Sequence, residues 1–207
     1  MRESSAARVR ESSVAALKTV YYVIVGLAIA VALDKTFLKE GAFVGLGCFT
    51  KNIDRTFVLL AFLCTMCRFV HGASLHLDRG LEKRWKPLFD FLAFLLQGAF
   101  FYVMALSMDK FRTFTVLLML MLIFDGVWIV LLMIFKYLPE PKKTAKQWLM
   151  SDVLFVVALV LICIIDSRVK SSWSALMVLV IAGVAAIWDY WSNRGFYFPV
   201  GAPTADG

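Results

Sequence analysis

Two residues of opposite charge stand in the middle of long apolar stretches of this sequence: Arg68 within residues 56–77 and Asp125 within residues 114–135. If both stretches are helices, a rise of 1.5 Å per residue puts each charge roughly 14 Å from the same end of its segment. If the segments cross a bilayer, that depth is near the midplane, where an isolated charge costs about 2.5–3.5 kcal/mol on insertion scales. Both side chains then have a strong reason to turn inward and pair. A further likeness supports the equal depth: Arg55-Thr-Phe begins thirteen residues before Arg68, and Arg112-Thr-Phe thirteen before Asp125. Ionisable groups so placed serve either as a station on a proton, ion or small-solute pathway or as a buried salt bridge that fixes helix packing. The sequence leaves both open.

Other polar residues are grouped around this pair. Gln97 lies at similar depth in the apolar stretch 88–108. Around Arg68, the helical period puts Ala61, Cys64, Thr65, His71, Gly72 and Leu75 on its own stripe, opposite Phe62, Leu63, Met66, Phe69 and Val70. Small and polar residues suit helix neighbours and bulky ones suit lipid, so the first stripe is expected to face inward and the second outward. Asp90, Asp152 and Asp189 lie nearer the segment ends on one side, and with His71 they would line an inward-facing vestibule. For these three the simpler expectation is favoured, that the carboxylates reach headgroups and loop lysines.

Little other chemistry is legible. Cys64-Thr-Met-Cys67 has CxxC spacing, but it lies mid-segment, and thiol exchange needs a second dithiol that the sequence does not supply. His71 and His76 are the only histidines and belong to one segment, with no HExxH pattern for zinc hydrolysis. No serine-protease GxSG, no DGxxAR of CDP-alcohol transferases and no run of voltage-sensing arginines occurs. Arg68-Phe-Val-His-Gly72 resembles a motif but attaches to no family. No catalytic residue, cofactor or metal site is expected.

The elements that must position these groups follow from composition. Of 207 residues, 61% are hydrophobic and only 18% charged, and the charges fall between apolar blocks. A soluble domain carries more charge and polar helix faces. Six stretches suit transmembrane helices: 14–33, 56–77, 88–108, 114–135, 148–165 and 173–191. The fold class expected is all-α, a polytopic membrane protein built as a bundle of about six helices. The connections at 109–113 and 166–172 are short enough to force antiparallel hairpins, whereas 34–55, with Gly41, Gly45 and Gly47, reads as a surface loop.

With the N-terminus inside, thirteen Lys and Arg fall on the cytoplasmic side (Arg2, Arg8, Arg10, Lys18, Arg79, Lys83, Arg84, Lys86, Lys136, Lys142, Lys143, Lys146, Arg194) and eight outside (Lys35, Lys39, Lys51, Arg55, Lys110, Arg112, Arg168, Lys170). Both termini are therefore expected in the cytoplasm, and a bacterial cytoplasmic membrane is the expected setting. Trp85, Trp148, Trp173, Trp188 and Trp191 mark span ends as headgroup anchors, while Trp128 lies inside a span. Residues 1–13, with Arg-Glu-Ser-Ser at 2–5 and 10–13, read as a basic interfacial leader. Small residues at Ala28, Ala30 and Ala32 leave a cleaved signal peptide as the lesser alternative for the first span. Residues 192–207 read as a cytoplasmic tail, disordered beyond Pro199.

The net charge of +7 accompanies no nucleic-acid motif, so nucleic acid is excluded as a partner and lipid headgroups account for the basic loops. The expected partners are the bilayer, a second copy of the chain through small-residue stripes at 26–30 and 175–186, and a protein at the cytoplasmic loops. Three functions follow in order. First is a channel, transporter or pore-forming effector using Arg68, Asp125, His71 and Gln97. Second is a non-catalytic subunit or sensor that binds through Lys83, Arg84, Lys142 and Lys143. Third is an intramembrane enzyme with His71 and Asp125 as acid and base.

Overall fold

In lipid every backbone N–H and C=O must find its partner within the protein, so apolar stretches of this length fold as helices. The computed structural model describes residues 2–39, 42–43, 53–79, 86–136, 142–166 and 171–198. Six long helices result: α1 (Arg2–Phe37), α2 (Ile53–Arg79), α3 (Lys86–Leu106), α4 (Phe111–Ile134), α5 (Lys142–Asp166) and α6 (Ser171–Ser192). A single turn, α7 (Arg194–Tyr197), follows the last. Each long helix contains an apolar span of 18 to 26 residues, enough to cross a bilayer, and the protein is a multi-pass membrane protein of the all-α class.

The helices run longer than hydropathy alone suggests. The basic leader continues into α1 as helix from Arg2, and α5 begins at Lys142, which puts Lys143 and Lys146 on its first turns. At the opposite end of the molecule, residues 107–110 turn α3 into α4, with the Ser107 N–H donating to the Met104 carbonyl (2.9 Å) and the Lys110 N–H to the Ser107 carbonyl (2.9 Å). After α1, Leu38–Lys39 pairs antiparallel with Ala42–Phe43. The glycines Gly41, Gly45 and Gly47, the loop residues Lys83 and Arg84, the anchor Trp85 and the tail from Pro199 lie outside the described residues.

The helices close into a ring. Each of α3–α4, α4–α5 and α5–α6 packs as a sequence neighbour, and the short α3–α4 turn forms the expected hairpin. α6 then packs most extensively of all against α2, and α1 inserts between α2 and α3, so that those two consecutive helices touch only slightly. This position corrects the expected faces of the second span. Phe62, Met66 and Phe69, assigned to lipid by their bulk, are buried, and only Leu60 and Cys67 in that stretch are well exposed. With α6 on one side and α1 on another, α2 has little surface left for lipid. Cys64, Cys67 and Cys163 are free thiols, and Cys67 faces outward rather than into the core.

Along the ring axis the interior has two halves. The half toward the α3–α4 turn is dry, filled by the fully buried Phe62, Phe101, Met104, Phe114, Leu118, Met121 and Leu122 with Leu159 and Val178. Phe62 meets Phe101 edge-on at 6.1 Å between centroids and Phe114 at 6.5 Å. Small residues on α6, Ala175 and Ala182, are buried against this packing, as close helix approach requires. The other half holds the buried charges.

Of the described glycines Gly98 is the most tightly packed: an added Cβ would lie 2.9 Å from Ile24 Cγ2 on α1. Ile24 is β-branched and cannot swing that methyl aside freely. Gly98→Ala is therefore expected to lower stability by about 1–3 kcal/mol through overpacking. Gly183→Ala, with open space around its Cβ position, should leave it unchanged or slightly raised. Thermal unfolding of the detergent-solubilised variants checks the difference.

Candidate functional site

Arg68 enters from the middle of α2 and is only 5% exposed. Its Nη2 donates to Asp152 Oδ1 on α5 at 2.8 Å, and its Nε to Asp189 Oδ2 on α6 at 3.2 Å. Both aspartates are buried to within 2% of completely, so neither reaches outward to headgroups or loop lysines. The guanidinium fork allows this sharing, since donors on different edges of one plane can serve two carboxylates from different helices.

Asp189 carries more than the arginine. Four residues on, at the end of α6, Asn193 donates its Nδ2 to Asp189 Oδ1 at 2.8 Å. The Asn193 carbonyl then accepts the backbone N–H groups of Phe196 (2.8 Å) and Tyr197 (3.0 Å), folding α7 back beneath the bundle. Tyr197 Oη thereby donates to Asp189 Oδ2 at 2.7 Å. Burial and the adjacent carboxylate of Asp189 push the Tyr197 phenol above its ordinary pKa, so it remains a donor through the physiological range. Aromatic contacts hold the turn: Phe196 against Trp148 of α5 (5.1 Å) and Tyr197 against His71 (4.9 Å) and Tyr190 (4.7 Å).

Asp125 stands on the other side of the cluster. Its carboxyl lies against that of Asp152 and within the field of Arg68, and Gln97 Nε2 approaches its Oδ1 at 3.5 Å, the long limit of a hydrogen bond. Gln97 Oε1 accepts from Tyr21 Oη of α1 at 2.9 Å. The result is one polar layer running Tyr21, Gln97, Asp125, Asp152, Arg68, Asp189 and Tyr197, to which each of the six long helices contributes a side chain. A cavity of about 60 Å³ opens onto this layer from the α7 end, with Arg68, Gln97, Asp125 and Asp189 at its polar floor and Phe94, Trp128, Ile129, Leu132 and Trp148 among its walls.

The structure places the residues singled out from sequence as follows. Arg68, Asp125 and Gln97 come together, but the carboxylates that bond Arg68 are Asp152 and Asp189 rather than Asp125. Asp189 lines the cavity, whereas Asp152 lies behind it, on Arg68. Asp90 does not line it either and pairs with His76 Nε2 at 3.3 Å, and it is His76 that reaches the cavity wall. His71 stands apart from Asp125: its Nδ1 is 3.1 Å from Tyr190 Oη, outside the cavity lining. An acid–base pair of His71 and Asp125 is therefore not assembled.

Sequence reasoning missed Tyr21, Asn193, Tyr197 and Trp148. Tyr197 and Asn193 lie past the last apolar span and carried no signal beyond the i, i+4 spacing of Asn193 from Asp189. Trp148 was taken for a headgroup anchor, yet it lines the cavity.

Arg68→Met would leave two buried carboxylates facing each other without a cation, and a loss of about 3–5 kcal/mol in stability is expected. Asp125→Asn removes no ion-pair contact to a cation and preserves an acceptor for Gln97, so its cost should stay below about 1 kcal/mol. Denaturant or thermal titration of the two variants in one detergent separates them. Equal losses would show that Asp125 and the Arg68 cluster act as a single packing unit.

Compared with protein-family models, with curated proteins and with solved structures, the chain matches none of them.

Proposed function

We propose that this membrane protein is a carrier that moves a small positively charged solute, with the Arg68–Asp125 layer as its binding and coupling station. The observation that carries the reading is the cavity itself: it descends from one end to a polar layer built by every long helix and stops against a dry half. Carriers hold their solute near the midplane and expose it to one side at a time. The dry half supports a carrier over a gated pore. Its seal runs along α4 from Phe114 to Leu122, nine residues and roughly 12 Å of helix, whereas pores close at short hydrophobic constrictions.

Charge supports the sign of the solute. One guanidinium faces three carboxyls, Asp125, Asp152 and Asp189, so the layer attracts a cation. The basic residues at the cavity's end, Lys18, Lys136, Lys142, Lys143, Lys146 and Arg194, support a cytoplasmic setting for that end and for both termini. The cavity then faces inward. Lys18 is engaged there by Asp78, which ties the start of the first span to the end of the second.

The test is flux into liposomes holding the purified protein, followed for protons, sodium, potassium and methylammonium at both signs of membrane voltage. Saturable cation flux is expected, with Asp125→Asn lowering it about tenfold or more while the protein remains folded. Flux that never saturates would instead favour an open pore. Absence of flux for every cation, in protein whose unfolding profile is intact, would overturn the transport reading.

A further inference from the structure

Two carboxyls of the polar layer, Asp125 of α4 and Asp152 of α5, are in hydrogen-bonding contact with each other. An ionised carboxylate only accepts, so such a contact needs a proton on one of the pair. Asp152 is 1% exposed and is the ion-pair partner of Arg68, which occupies its Oδ1 at 2.8 Å. Its Oδ2 has no other hydrogen-bond partner among the described residues, and a buried lone pair calls for a donor. Asp125 meets no cation directly and has only the long approach of Gln97 besides. An Asp125 hydroxyl that donates to Asp152 satisfies both residues.

Asp125 is also the carboxyl that the cavity offers to a cation. Asp189 lines the cavity too, but its Oδ1 is taken by Asn193 and its Oδ2 by Arg68 Nε and Tyr197 Oη. Asp152 lies behind the lining. We propose that Asp125 is an exchange site, holding either a proton shared with Asp152 or one small monovalent cation, and that the carrier exchanges the two across the membrane. The inference rests on the carrier reading and names its coupling ion.

On loading, the Asp125 O–H bond breaks, water entering the cavity carries the proton away, and the carboxylate pairs with the cation. Unloading reverses each step. Three carboxyls, one guanidinium and one further positive charge make up the layer in either state, so its net charge does not change. An empty, ionised Asp125 would instead add a buried negative charge beside Asp152, which is costly at this depth. Both occupants at once would leave the cation facing an uncharged hydroxyl. The other charged or titratable groups facing Asp125 are Tyr21 of α1 and Arg68 and His76 of α2, while Asp189 of α6 and Tyr197 of α7 share its cavity. Gln97 is its neighbour from α3. His76, already paired with Asp90, is the competing proton site that the experiment must separate from Asp125.

The experiment uses the full chain in detergent, weakly buffered, with a pH-indicator dye reading proton release and thermal shift reading binding. Sodium, potassium and methylammonium chlorides are titrated in turn at matched ionic strength. At least one is expected to bind saturably and to release about one proton per chain, with an apparent Kd that rises about tenfold for each unit by which the pH is lowered. Asp125→Asn keeps an N–H donor for Asp152 and should abolish the release in folded protein. Asp152→Asn, a second variant on another helix, removes the carboxylate that shares the proton and should cut the release several-fold at the same pH. Saturable binding without proton release at any pH would overturn the exchange, as would no binding of any of the three cations. Release that His76→Gln abolishes and Asp125→Asn preserves would move it to the His76–Asp90 pair and overturn the assignment. In liposomes, sodium flux without proton counterflow would sink the exchange and keep the carrier. Proton release in detergent without flux in liposomes would keep the exchange site and sink the carrier.

Discussion

Burying one arginine sets most of this architecture. A guanidinium at the middle of a membrane-length helix must be paired or the helix does not stay inserted at that depth. Arg68 satisfies Nη2 on α5 and Nε on α6, so three helices are tied at one level and their rotations about their own axes are fixed together. That linkage explains why α2, rather than a more apolar helix, takes the inner position against α6. It also explains why α1 fills the gap that α2 leaves beside α3. Asp189 has lone pairs remaining after it meets the arginine, and Asn193 and Tyr197 take them, which draws the chain after α6 back under the bundle.

The division into a dry and a wet half follows from the same constraint. Away from the arginine, nothing prevents close packing, and Phe62, Phe101 and Phe114 interlock with Met104, Met121 and Leu118 without polar atoms to satisfy. Near it, carboxyls and amide groups must be spaced for hydrogen bonding, and side chains held apart by polar geometry cannot also fill every gap. A cavity beside the charges is thus a consequence of how the charges are held. Its walls remain largely aromatic because the helices there still need apolar bulk facing one another.

Much of this was legible in the sequence, and the limit is instructive. The six spans could be read because apolar length is a property of each segment alone. Arg68, Asp125 and Gln97 could be placed at one depth for the same reason, since depth depends only on position along a helix. Partner choice could not be read in this way. Whether Arg68 meets Asp125 or Asp152 depends on which helices are neighbours and how each is rotated, and neither is encoded in any one segment. The same gap misassigned Phe62, Met66 and Phe69 to lipid: bulk indicates lipid only when a helix lies on the rim, and α2 does not. Trp148 shows the corresponding weakness of an interface signal, because a ring near a span end can turn inward as readily as toward headgroups. Tyr197 was hidden for a simpler reason, lying beyond every apolar segment in a turn whose only cue is Asn193 four residues after Asp189.

The balance of charge sets this layer apart from a single ion pair. A buried ion pair kept only to fix helix positions needs one carboxylate for one arginine, and even that is often no more stabilising than apolar residues of the same volume. Here Asp152 and Asp189 both engage Arg68, and Asp125 adds a third carboxyl that lies against Asp152, with no direct cation contact and a long approach from Gln97. The second carboxylate can be understood structurally, since it joins a third helix. The third joins α4 to the same layer, through Asp152 of α5 and Gln97 of α3. Three carboxyls beside one guanidinium leave the layer rich in acceptors and poor in cations, and the carrier reading draws on that imbalance.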